Sequence, residues 1–94
     1  MSLSLLDQFN DKLSQIPTAY TTGKFNDARY GVTVSREAGG KRVKLYAEEL
    51  GGNDHISFNL YTLSSGVKAL KPCEMSEAKV IAFVVGFQAD AEQN

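Results

Sequence analysis

The chain has 94 residues, a net charge of −1 and a single cysteine, with 43% hydrophobic and 22% charged residues. That is the composition of one small globular domain over 1–94, and it excludes a collagenous, repetitive or largely disordered chain. No apolar run reaches the roughly 18 residues a spanning helix needs. No basic segment followed by an apolar stretch opens the chain, so no secretory signal is expected. With Cys73 and His55 each alone of its kind, neither a disulfide framework nor a cysteine/histidine zinc site is available, and a reducing cytoplasm is the expected setting.

In chain order, SLSLLDQFNDKLSQIP (2–17) is expected to be an amphipathic helix. Leu6, Phe9, Leu13 and Ile16 recur at helical spacing, Ser4 with Asp7 forms a variant capping box, and Pro17 stops it. Residues 18–27 are expected to form a polar loop around Gly23. ARYGVTVSRE (28–37) alternates like a strand, with Tyr30, Val32 and Val34 on one side. The turn signal AGG (38–40) leads to a second strand, KRVKLYAEEL (41–50). GGND (51–54) supplies glycines and Asn/Asp for another hairpin. HISFNLYTL (55–63) is the third strand, SSG (64–66) a turn, and VKALKP (67–72) a short fourth strand ended by Pro72.

Residues 74–88 read as a second helix, because Glu74, Ser76 and Glu77 suit a positive helix N-terminus. Val80, Phe83, Val84 and Phe87 make one apolar stripe, and Ile81 and Val85 a second on nearly the opposite side. The expected fold is therefore α+β: an N-terminal helix, a four-stranded antiparallel β-meander and a C-terminal helix. A helix apolar on both sides needs two partners. The N-terminal helix or a second copy could be the other one, and a homodimer through Val80, Ile81, Phe83, Val84, Val85 and Phe87 is expected. From Ala89 to Asn94 the chain reads as a tail.

The strands carry the functional signal. If Val43, Leu45, Ile56, Phe58 and Leu60 face the core, then Arg42, Lys44, Tyr46, His55, Ser57, Asn59 and Tyr61 share the other face with Thr33 and Ser35, and Lys68 and Lys71 lie nearby. Cations that track phosphates together with rings that stack on unpaired bases are the groups that hold single-stranded nucleic acid. The competing reading is a solvated face with cross-strand tyrosine pairs. Charge leans the same way as the rings. Residues 28–71 hold seven basic side chains against four acidic ones, while 72–94 hold Lys79 against Glu74, Glu77, Asp90 and Glu92. No catalytic set is visible. His55 and Cys73 lack an orienting third group, and the adjacent Glu48 and Glu49 fall on opposite faces of a strand. The Gly39–Gly40 and Gly51–Gly52 turns open no helix, as a phosphate loop would. No enzyme activity, cofactor or metal is expected.

The succession YGVTVSRE, KRVKLYAEEL, ISFNLYTLSSG and VKALKPCEMSEAKVIAFVVGF resembles the single-strand-binding transcriptional coactivators of the positive cofactor 4 type and the related Whirly proteins. In those, a twisted four-stranded meander runs into one helix, and the LKPCEM stretch (70–75) is similar to their strand-to-helix junction. The resemblance implies a dimer with a sheet-borne groove for unpaired DNA, a role in transcription or DNA maintenance, and Arg42, Lys44, Tyr46, Asn59, Tyr61 and Lys68 along the groove. Tyr61 stands where that group carries a tryptophan, and the N-terminal helix lies outside the shared plan. Two other readings compete. One is a protein-interaction module docking through the two-sided helix. The other is a cystatin-like small-molecule domain built on Tyr20, Tyr30, His55 and Cys73.

Overall fold

The computed structural model describes residues 4–90. Helix α1 spans Leu5–Gln15. Ser4 caps it as expected, its Oγ accepting from the Asp7 N–H at 3.1 Å, which satisfies one of the donors a helix start leaves open. Phe9, Leu13 and Ile16 turn into the core, whereas Leu6 is exposed. The other end is closed by a side chain the sequence pattern does not announce. Arg36, from the second strand, donates to the carbonyl oxygens of Leu13 and Ile16 at 2.8 and 2.9 Å and to Thr18 Oγ1 at 2.6 Å. A guanidinium there both satisfies orphan carbonyls and suits the negative end of the helix dipole.

Among the described residues the sheet has six strands, not four: β1 Ala19–Phe25, β2 Ala28–Glu37, β3 Arg42–Glu49, β4 His55–Thr62, β5 Lys68–Pro72 and β6 Gln88–Ala89, ordered β5-β4-β3-β2-β1-β6. All neighbours are antiparallel. The expected loop over 18–27 is instead β1 with its turn. Asn26 and Asp27 both adopt positive φ, 50° and 66°, and join Phe25 to its partner Ala28. Two such residues make the primed turn whose twist suits a tight hairpin. The expected tail also begins as structure, since Gln88 and Ala89 pair with Lys24 and Gly23. Residues 91–94 lie outside the described part.

Helix α2 spans Glu77–Gly86, with Ser76 as its cap and Ser76 Oγ accepting from the Lys79 N–H. Val80, Phe83, Val84 and Phe87 are buried toward the sheet, where the Phe83 ring lies 5.0 Å from Tyr30 and 5.1 Å from Phe25. The second partner that α2 needs is α1. Ile81 is buried in one cluster with Phe9, Leu13 and Ile16, and Val85 packs against that cluster's margin. The stripe expected to hold a second copy is thus covered within one chain. Both helices lie on the same side of the sheet, since the Phe9 ring packs tilted against Phe58 with centroids 5.7 Å apart. Every residue expected on the core face, Tyr30, Val32, Val34, Val43, Leu45, Ile56, Phe58 and Leu60, is buried. Among the described residues no helix lies on the opposite face.

Candidate nucleic-acid interface

Strand pairing arranges the open face into rows that cross the sheet. One row runs Ser35–Lys44–Asn59–Lys71, from β2 through β5. On one side of it lies Glu37–Arg42–Tyr61–Ala69, and on the other Tyr20–Thr33–Tyr46–Ser57. Beyond that stands Gly31–Glu48–His55. Two residues separate neighbouring rows, about 7 Å along a strand, and adjacent strands are about 4.8 Å apart. Tyr46 and Tyr61 therefore sit about 13 Å apart along the strands, with the Lys44 row midway. Tyr46 is 43% exposed and its ring stacks against His55, centroids 6.3 Å apart and planes 27° from parallel. Tyr61 and Asn59 are half-buried, and His55, Lys44 and Arg42 exposed.

A ring that sequence reasoning had placed in a loop joins this face. Tyr20 comes up on β1 and lies across Gly31, where an added Cβ would stand only 3.0 Å from the Tyr20 Cζ. Its own side chain is 59% exposed. The alternation of Tyr20, Thr22 and Lys24 against Thr21, Gly23 and Phe25 was the available signal. Lys68 is the opposite case. It pairs with Thr62 and shares that residue's helix-side face, donating to Thr62 Oγ1 at 3.3 Å. A one-residue offset moves a side chain to the other face, and Lys71 takes the place expected for Lys68.

The charges on the open face are unequally committed. Arg29 holds Asp90 through both guanidinium arms at 2.8 Å, and Thr22 donates to the same carboxylate. That keeps the Asp90 carboxyl down at about 2, chiefly through Arg29, and ties the residue after β6 to the sheet. Arg42 is paired with Glu37 at 2.6 Å. Lys44 and Lys71 form no ion pair among the described residues. Ser35, Glu37, Arg42, Lys44 and Asn59 line a depression of about 250 Å³.

The residues a small-molecule pocket would need are not brought together. Tyr20 and His55 stand on the open face, whereas Tyr30 is buried on the helix side. Tyr30 donates to Asp54 Oδ2 at 3.0 Å, and Lys79 donates to Asp54 Oδ1 at 2.8 Å. Burial, and then the Asp54 carboxylate, push the Tyr30 hydroxyl up to about 12. Cys73 follows β5 at the strand-to-helix junction and bonds its N–H to the Ser57 carbonyl. Among the described residues no cluster of His, Cys, Asp and Glu could hold a metal ion. Comparisons with protein-family models, with curated proteins and with solved structures find no match.

Proposed function

We propose that this protein binds single-stranded nucleic acid on the open face of its sheet, without catalysis. The observation that carries the proposal is that Tyr46 and Tyr61 project from the face opposite the helices, on either side of Lys44, which forms no ion pair among the described residues. Bases would stack on the rings, each for roughly 1–3 kcal/mol, and the cations would neutralise the phosphates between them. The resemblance to the positive cofactor 4 and Whirly group supports the same reading, and a role in transcription or DNA maintenance belongs with it. The proposal takes one chain as the binding unit. The α2 side chains expected to hold a second copy are packed against the sheet and α1.

The test is fluorescence anisotropy with labelled oligothymidylate and oligouridylate at low salt. Binding should fall with rising salt at a logarithmic slope of about −2 if Lys44, Lys71 and Arg42 neutralise phosphates. Tyr46→Ala combined with Tyr61→Ala should lose more affinity than Lys44→Ala alone. No binding of either polymer at low salt would sink the reading.

A further inference from the structure

We propose that the depression between Ser35, Lys44 and Asn59 is a phosphodiester subsite, and that Glu37 occupies the Arg42 fork as a stand-in for the ligand's phosphate. This rests on the nucleic-acid reading above. The three side chains come from three adjacent strands, share one register row and line the same depression. Their chemistry is a donor set: an ammonium, an amide NH2 and a hydroxyl. Among the described residues Lys44 has no counter-ion. The spot lies midway between the row of Tyr46 and the row of Tyr61, where the backbone linking two stacked bases must cross.

Glu37 is the one feature of the depression that opposes an anion, and its geometry explains it. A single oxygen, Oε1, receives both Arg42 Nε at 2.9 Å and Arg42 Nη2 at 2.6 Å. Arg42 thus presents to the depression a fork already filled by a carboxylate, and a fork of this kind accepts a phosphate equally well. Both side chains are more than half exposed, 54% and 59%. In water such a pair is worth little, so an incoming phosphate can take Arg42 from Glu37. The consequence is of unusual sign: removing this acid strengthens binding.

The experiment uses the full chain, an oligothymidylate of about eight residues, and inorganic pyrophosphate as a base-free probe. Lys44→Gln should lower oligonucleotide affinity about tenfold and flatten the salt slope by about 0.7. Glu37→Gln should raise affinity several-fold with the slope little changed, since Arg42 meets a phosphate in either protein but no longer has to leave a carboxylate first. In 15N spectra pyrophosphate should shift Ser35, Lys44 and Asn59 and leave Tyr20 unmoved. Both substituted positions, Glu37 and Lys44, are exposed, and melting curves check that each variant is folded. If wild type binds while Glu37→Gln and Lys44→Gln both leave affinity and slope unchanged, the subsite is wrong and the nucleic-acid reading stands. If pyrophosphate shifts this depression but no oligonucleotide binds, the anion site stands and the nucleic-acid reading falls. If neither probe binds, both fall.

Discussion

Tyr30 shows how one side chain ties the two layers together. Its ring is buried against Phe83 and Phe25, while its hydroxyl reaches Asp54, which also receives Lys79 from the first turn of α2. Lys79 first, and Tyr30 after it, hold the Asp54 carboxyl below its ordinary value. The Tyr30 hydroxyl moves the other way, from 10.0 to about 12. A raised value in the folded state means that the folded chain holds this proton more tightly than the unfolded one. The stability it contributes is complete below pH 10 and is lost as pH rises toward about 12. One of the four tyrosines should therefore titrate at about 12 in ultraviolet absorbance, with unfolding setting in over the same window. Tyr30→Phe should remove that late step and cost about 1 kcal/mol near neutral pH. A late titration that survives in Tyr30→Phe would contradict the assignment. The signs reverse for the carboxylates. Their stabilisation is present above their ordinary range and fades as pH falls, through about 2 for Asp90.

Among the elements, β1 and β6 carry the most instructive departures from expectation. The sequence of β1, AYTTGKF, is rich in Thr and aromatic residues that favour strands, but Gly23 breaks its pattern and suggests a loop. The structure supplies the reason for that glycine. A Cβ there would stand 2.5 Å from the Phe87 ring and closer still to the Gln88 carbonyl oxygen, because β6 pairs alongside β1 at this residue. Gly23→Val should therefore cost about 1–3 kcal/mol and detach β6, which hydrogen exchange at the Asp90 amide bonded to Thr22 would register. Unchanged melting and exchange would refute the close packing. The interior strands β2, β3 and β4 were legible because two-residue alternation and glycine-bearing turns agree along their length. Helix α2 was legible through its Ser76 cap. Lys68 was misplaced because β5 is short and sits at the edge, where apolar alternation is too brief to set the face. What α2 packs against could not be read either. Two stripes state the need for two partners, but only the fold decides that α1 is the second.

At the scale of the molecule, the two helices and six-stranded sheet of the described residues leave one side of the sheet without a helix. The exposed edge β5 is blunted by Lys68, Lys71 and Pro72, a composition that discourages a further strand from adding there. The core face and the register of Tyr46 and Tyr61 follow from the alternation in residues 41–63, so the candidate site was legible where the strands are long. Tyr20 entered it only through the β1 hairpin, and the Glu37–Arg42 pair only through side-chain geometry. The account depends on the open face, rather than the helices or the edge, meeting the ligand. The tyrosines offer the most direct reading, since Tyr20, Tyr46 and Tyr61 stand on that face and Tyr30 lies beneath it. With 13C-labelled tyrosine rings and a stepwise addition of oligothymidylate, the Tyr46 and Tyr61 signals should shift together and saturate, while that of Tyr30 holds still. Saturable binding that leaves Tyr46 and Tyr61 unmoved would contradict the account.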